Sequence, residues 1–348
     1  MIRVLIADDS ATARAVLRRA IASAPDLEVA GEAATGQEAV EKAMRLSPDV
    51  ITMDVFMPMM DGCAATREIM ARRPIPILAV TAYELKELGP SFDALAAGAL
   101  GVIRKPAGSD QEGGVRLAGM LLEQIRQAAR TRMSRRPSEA PSLRPAGEIP
   151  DPETLRGKTL LIIGGSAGAP GALCSIVGGV SAEFPLPMVI VQHMQPAFQE
   201  GFAQWLGRHT VLPVQSAEAG RSPLSGCVYL PPPDRHLGFD RSGCFTVEKG
   251  PPVKGHRPSI DFLFQSAAQH YGGGVVAILL SGMGDDGAEG AKAIGDRNGL
   301  VLVQNPGEAL VAGIPQAAVD RGAAHALLST EAIRRLLAGM PSVKGGLR

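Results

Sequence analysis

Short apolar runs alternate with amphipathic stretches along most of the chain. Val4-Leu5-Ile6-Ala7 reads as a buried strand, and Ser10 is placed to cap a helix carrying Ala15, Val16, Leu17 and Ile21. Leu27, Val29 and Ala30 mark a second strand, and Gly36-Gln37-Glu38-Ala39 opens another helix. The strand signal returns at 50–53 and 76–80, more weakly at 101–103, and a helix near 117–129 closes the series. Apolar strands alternating with helices predict a parallel sheet covered on both faces.

The pattern then stops. Residues 131–152 contain Ser134, Arg135, Arg136, Pro137, Pro141, Pro145 and Pro150 with no apolar period, which predicts a solvated linker. A second alternating series follows, with buried strands at 160–163, 188–191, 275–280 and 300–303. Between Val211 and Val247 the segments shorten and are separated by Pro231-Pro232-Pro233 and Gly238. This predicts β-hairpins inserted into a doubly wound, mostly parallel α/β domain. The expected division is a domain over 1–128, a linker over 129–156 and a second domain over 157–346. A length of 348 residues suits two domains.

Composition narrows the function classes. Hydrophobic residues make up 45% and charged residues 20%, values of a folded protein. Lys and Arg total 35, as do Asp and Glu, so nucleic acid and anionic membrane are not expected partners. The 4 cysteines form no metal-binding spacing, which suits a reducing cytoplasm. Arg3 and Asp8-Asp9 interrupt the N-terminal apolar stretch, so no signal peptide is expected, and no apolar run is long enough for membrane insertion. A monomeric cytoplasmic protein is the expectation.

In the first domain Asp8 and Asp9 follow the first predicted strand, Asp54 ends the third, Thr81 the fourth, and Lys105-Pro106 follow the fifth. Strand ends of an open parallel sheet converge on one crevice. Taken singly, each residue is ordinarily a helix cap or a loop residue. Together, the three carboxylates Asp8, Asp9 and Asp54 suit Mg²⁺, and Asp54 beside a lysine and a hydroxyl suits a phosphoryl acceptor. With Met57-Pro58, Asp61-Gly62 and Val80-Thr81-Ala82, these residues resemble the flavodoxin-like receiver domain of response regulators. The resemblance implies phosphorylation of Asp54 by a histidine kinase, Mg²⁺ held by Asp8, Asp9 and Asp54, phosphoryl contact by Lys105, and a switch hydroxyl on Thr81. Val102 departs from the Phe or Tyr of many receivers, and Phe56 from a common acidic residue.

In the second domain the strand at 160–163 runs into Gly164-Gly165-Ser166-Ala167-Gly168, a fit to the G-x-S-x-G elbow in which a strained turn presents the serine. His193 follows the strand at 188–191, and Asp285-Asp286 follow the strand at 275–280. Nucleophile, base and orienting acid would thus meet at one sheet edge. His209, His236, His256, His270 and His325 have no such strand-end setting. Ile163-Gly164-Gly165-Ser166, Gln192-His193-Met194, Pro231-Pro232-Pro233-Asp234-Arg235-His236, His256-Arg257-Pro258-Ser259-Ile260-Asp261 with Leu263-Phe264, and Gly282-Met283-Gly284-Asp285-Asp286-Gly287 resemble the chemotaxis protein-glutamate methylesterase (CheB) family. A receiver, a linker and this domain is also that family's order.

The resemblance implies hydrolysis of glutamate methyl esters on chemoreceptors, often with deamidation of glutamines. Ser166 would be nucleophile, His193 base, Asp286 orienting acid and the Met283 backbone an oxyanion donor, with no cofactor for the esterase. The donor of the phosphoryl group would be the chemotaxis histidine kinase. An unphosphorylated receiver is expected to cover the Ser166 edge until phosphorylation weakens the contact. Ala167 and Ala169 stand where the family has Thr and Gly. Two other readings compete. A dinucleotide-binding oxidoreductase, suggested by Gly165, Gly168 and Gly171, lacks the acidic residue it needs where Gln192-His193 stand. A phosphorylation-gated interaction protein with an inactive hydrolase domain rests on Ala167 and Phe56.

Overall fold

The structure, a computed structural model, describes residues 1–81, 88–105, 111–131, 133 and 150–340. Ala82, Pro106, most of the expected linker and the last residues of the expected second domain lie outside the described residues. The chain divides into two compact units, Met1–Arg135 and Arg136–Arg348.

The first unit alternates strand and helix throughout: β1 (Ile2–Ala7), α1 (Ala11–Ala22), β2 (Leu27–Ala33), α2 (Gly36–Leu46) and β3 (Val50–Asp54). It continues through α3 (Gly62–Arg72), β4 (Ile77–Thr81), α4 (Leu88–Ala96), β5 (Gly101–Arg104) and α5 (Gln111–Arg130). Ser10 caps α1, its hydroxyl accepting from the Ala13 N–H. The sheet order β2-β1-β3-β4-β5, with parallel pairing, is that of a flavodoxin-like fold. Strands β3 and β4 are buried along their whole length, as continuous apolar runs covered on both faces require.

The second unit runs β6 (Leu160–Gly165), α6 (Ala169–Gly178), β7 (Met188–Gln192), α7 (Pro196–Gly207), β8 (Val214–Ser216) and β9 (Val228–Leu230). A ribbon of β10 (His236–Phe239) and β11 (Phe245–Glu248) leads to α8 (Ile260–Tyr271) and β12 (Val275–Leu279). The rest is α9 (Ala288–Gly295), β13 (Leu300–Gln304), α10 (Gly313–Asp320), β14 (Ala326–Leu328) and α11 (Thr330–Ala338). Seven parallel strands pair in the order β14-β13-β12-β6-β7-β9-β8. The strand order reverses at β6, so the crevice beyond β6 and β12 is the switch point where ligands collect in such sheets.

The 211–247 region differs from the hairpins expected of it. Only β10 and β11 form an antiparallel ribbon. β8 and β9 pair in parallel and extend the main sheet beyond β7, because the segment joining them crosses back instead of turning tightly. The three-residue strand β14 has no counterpart among the expected elements. Leu160, Ile162, Val189, Leu263, Phe264, Ala277 and Val301 sit at the centre of one core, closed to solvent, which fixes the strand ends carrying the site.

Candidate active site

At the strand ends of the first unit, Asp8 and Asp54 are buried and Asp9 is exposed. Carboxylate oxygens of the three lie within 4.8 Å of one another. Lys105 Nζ stands 2.8 Å from Asp54 Oδ2 and 2.9 Å from Asp8 Oδ2. The latter oxygen is buried and receives no hydrogen bond of good geometry. Burial, with the neighbouring Asp8 charge, pushes the Asp54 carboxyl up to about 6 against the pull of Lys105. A crowded, under-neutralised set of hard oxygen donors fits a Mg²⁺ ion held by Asp8, Asp9 and Asp54. Thr81 is buried at the end of β4, and its carbonyl accepts from the Lys105 N–H at 2.7 Å. Val102 is buried, and the Phe56 ring, two residues after Asp54, is about half exposed.

At the switch point of the second unit, Gly165 pairs with Gln192, and the His193 N–H donates to the Gly165 carbonyl at 3.0 Å. Ser166 and His193 are therefore the next residues on two adjacent strand ends. The Ser166 N–H in turn donates to the Ser281 carbonyl (2.9 Å), which ties the serine turn to the loop after β12. Ser281 Oγ donates to the Ala167 carbonyl (2.8 Å) and accepts from the Val311 N–H (2.9 Å). Gly282 N–H donates to the Val311 carbonyl, and its own carbonyl accepts from Ile314 N–H. Met283 thus belongs to a loop pinned on both sides against Ser166. A Cβ on Gly282 would stand 2.7 Å from Ser166 Cβ, so only glycine allows that approach.

The elbow is unstrained at the serine. Ser166 is not among the residues with positive φ; Gly168, two positions on, takes the left-handed conformation at φ 77°. Its missing Cβ leaves room for Ser281 Oγ and Leu310, and α6 starts at once with Ala169. The small residues therefore seat the turn instead of straining it.

His193 Nε2 lies 2.8 Å from Asp286 Oδ2. A carboxylate only accepts, so this contact puts the ring proton on Nε2 and leaves Nδ1 with the lone pair. Nδ1 is buried with no hydrogen-bond partner among the described residues. The ring is thus turned relative to the familiar serine-protease arrangement, in which the acid holds Nδ1. No hydrogen bond joins Ser166 Oγ to the imidazole among the described residues; His193 is linked to Asp286, and Ser166 stands on the adjacent strand end.

Asp286 is anchored more fully than its strand-end position suggests. Its Oδ1 accepts from Ser259 Oγ (2.8 Å) and Asp261 N–H (3.0 Å), and its Oδ2 from Ile260 N–H (2.8 Å) as well as His193. The carboxylate therefore sits at the N-terminus of α8, where orphan N–H groups favour negative charge. Burial pushes its carboxyl up, but the His193 contact and these N–H groups outweigh that and bring it down to about 2. Asp285 instead points away, to Arg321 at 2.5 Å and Lys254 at 3.4 Å.

One residue escaped the strand-end reasoning. His256, on the loop before α8, stacks flat on His193 with ring centroids 3.8 Å apart and planes 9° apart. Burial, with the neighbouring imidazole, pulls it down to about 4, so it is neutral at neutral pH. The His256-Arg257-Pro258-Ser259 run carried that signal, since Ser259 also reaches the site. Arg257 is structural: it holds Asp234 at 2.7 Å and the Gly250 carbonyl at 2.8 Å.

Comparison with known proteins decides the family. Residues 161–337 match the CheB methylesterase family model, and residues 4–112 match the response regulator receiver domain. The chain belongs to the CheB methylesterase family. A protein-glutamate methylesterase/protein-glutamine glutaminase of Anaeromyxobacter dehalogenans is 41% identical over 339 residues, covering 97% of this chain and 98% of the relative. One of the same name from Myxococcus xanthus is 38% identical, covering 94% of each. The solved CheB methylesterase catalytic domain of Thermotoga maritima, 33% identical, superposes with a TM-score of 0.51 over 53% of this chain and 99% of its own. As a CheB-family chain with a receiver domain, this is a methylesterase under phosphorylation control, with the two α/β folds the sequence led one to expect. No helix among the described residues is long and apolar enough to cross a membrane.

Proposed function

We propose that this CheB-family chain demethylates glutamate methyl esters on chemoreceptors, and deamidates glutamines there, with Ser166, His193 and Asp286 as nucleophile, base and orienting acid. The observation that supports this most is the 2.8 Å contact of His193 Nε2 with Asp286, which leaves a basic Nδ1 at the edge where Ser166 stands. In this reading Ser166 Oγ attacks the ester carbonyl as its proton passes to Nδ1. The Met283 N–H and the start of α6 offset charge on the carbonyl oxygen. Nδ1 then returns the proton to the leaving methoxide, releasing methanol and an acyl-serine. Water, deprotonated by the same nitrogen, restores serine and frees the glutamate carboxylate. A glutamine substrate would lose ammonia by the same route.

In the receiver, Asp54 is the proposed acceptor of a phosphoryl group from a histidine kinase, with Lys105 pairing the transferred group and Thr81 following it. Asp8, Asp9 and Asp54 would hold Mg²⁺, which when bound offsets negative charge at the acceptor. The proposed domain limits stay at 1–128 and 157–346, with a linker between, in a cytoplasmic monomer. Methanol release from methylated receptor, measured with and without a small phosphodonor, tests the reading. Release that rises with phosphodonor and vanishes in Ser166→Ala supports it; release persisting in Ser166→Ala removes the serine assignment.

A further inference from the structure

Val253, Lys254, Gly255 and His256 form a two-residue hairpin turn on the loop before α8. The Val253 N–H donates to the His256 carbonyl at 3.0 Å, and the His256 N–H to the Val253 carbonyl at 2.9 Å. Both central residues lie in the left-handed region, Lys254 at φ 49° and Gly255 at φ 81°. We propose that Lys254 is a positioning residue for the reaction, its ammonium clamping this turn to the start of α8 so that His256 is laid on His193. This rests on the methylesterase reading above and adds to it a residue that touches none of the reacting groups.

The backbone gives the first sign. Such turns favour Gly, Asn and Asp, because a β-carbon is strained at positive φ. Gly255 meets that preference; Lys254 does not. A residue held there persists where the contacts around it over-determine its place. Its own side chain supplies them: Nζ stands 2.9 Å from Asp261 Oδ2, 2.9 Å from Glu289 Oε1 and 3.4 Å from Asp285 Oδ2. Glu289 is about half exposed and Asp285 is shared with Arg321, so neither fixes a lysine firmly. Asp261 is different. Its side chain is buried, its Oδ1 accepts from the Gly290 N–H at 2.7 Å, and its Oδ2 has no partner among the described residues besides the lysine. A buried carboxylate that loses its cation is left uncompensated, so this pair is costly to break.

Asp261 is also part of the site's frame. Its N–H donates to Asp286 Oδ1 at 3.0 Å, so the residue that receives Lys254 is one of those that hold the Asp286 carboxylate. The His256 imidazole makes no hydrogen bond among the described residues, and its place against His193 follows from the backbone that carries it. Arg257, the next residue, fastens the other side through Asp234 (2.7 Å) and the Gly250 carbonyl (2.8 Å). Of these two flanking cations, Lys254 is the one that ties the turn to α8. Both contacts of the His193 ring, the carboxylate at its edge and the imidazole on its face, are then referred to the first turn of that helix.

Lys254→Asn tests this, because asparagine tolerates the left-handed conformation and is too short to reach Asp261 or Glu289. In the full chain, kcat for methylated receptor is expected to fall about fivefold with KM little changed, as a less often aligned imidazole requires. The carbon-bound ring protons of His193 and His256, displaced in wild type by the stacked rings, are expected to shift towards the positions of free imidazole. An unchanged kcat, a change confined to KM, or ring resonances that do not move overturns the proposal. Where the unpaired Asp261 charge prevents folding, Lys254→Asn combined with Asp261→Asn removes that charge together with the clamp. The same losses in this pair support positioning; wild-type rate and resonances would mean that the lysine only neutralises Asp261, and overturn it. If wild type released no methanol, the methylesterase reading would fall, while the resonances would still decide whether Lys254 sets the stack.

Discussion

The imidazole of His256 lies flat against that of His193, 3.8 Å between ring centres, while Asp286 grips the His193 edge at 2.8 Å. The His193 ring is thus held from one face and one end. Its remaining nitrogen has a single direction in which to act.

Removing the stacked ring should cost catalysis more than binding. His256→Ala is expected to lower kcat about tenfold with KM little changed, because a loosened imidazole is less often aligned. His256→Phe, which keeps a flat surface, should recover most of the loss. Steady-state methanol release on methylated receptor measures both, and equal loss in the two variants would mean that stacking is not the relevant property.

The same ring makes stability depend on pH. His256 is protonated below about 4 in the folded chain but already below 6.5 when unfolded, so between these values the unfolded state binds more protons. Stability is then complete above pH 6.5 and falls as the pH drops towards 4. Asp286, held at about 2 against an ordinary 3.8, adds its loss only below that range. Asp54, raised to about 6, works in the opposite direction over the same interval, so the ring is read as a difference: as the pH falls from 7 to 4.5 the thermal midpoint of wild type should drop relative to that of His256→Phe.

Asp286→Asn keeps the shape of the side chain but removes the acceptor that places the His193 proton on Nε2. A kcat loss on the order of 10³–10⁴ is expected, the scale seen when an orienting acid is neutralised. Asp286→Ala should in addition destabilise the fold by about 1–3 kcal/mol, since Ser259 Oγ and the Ile260 and Asp261 N–H groups lose their acceptor. Chemical denaturation separates the two variants.

Gly282 allows the loop after β12 to close on the serine. In Gly282→Ala the new methyl would meet Ser166 Cβ at 2.7 Å and Ile314 Cδ1 at 2.4 Å. A stability loss of about 1–3 kcal/mol and a lower kcat are expected, as the loop carrying Met283 is pushed off. Hydrolysis rates at saturating receptor, with a denaturation curve, check both.

Control through the receiver predicts that Asp54→Ala abolishes the response to phosphodonor and leaves the basal rate in place. Deleting residues 1–154, which removes the receiver and most of the expected linker so that the chain starts at Leu155, should raise the basal rate and make it indifferent to phosphodonor. A truncated chain no faster than the unphosphorylated whole would exclude an inhibitory receiver.

Much of this is legible in the sequence. The four strand ends carrying Asp8, Asp9, Asp54, Thr81 and Lys105 follow from apolar runs that read as buried strands, and their convergence follows from parallel pairing. The strands at 160–163, 188–191 and 275–280 likewise deliver Ser166, His193 and Asp286 to one edge. Three-residue strands were beyond reach. In β8, β9 and β14 there are too few positions for a period, and whether such a pair runs parallel depends on how the intervening chain crosses over.

By itself the sequence determined the two parallel sheets and which titratable groups stand at strand ends, because burial of continuous apolar runs is a local demand with few solutions. Tertiary structure alone decided which nitrogen of His193 meets Asp286, that His256 stacks beneath it, and that the N-terminus of α8 anchors the carboxylate. Those contacts join residues far apart in the chain through a loop, and no periodicity records where a loop will lie. Side-chain orientation comes from packing around it, which exists only once the sheet and α8 have closed on a common core.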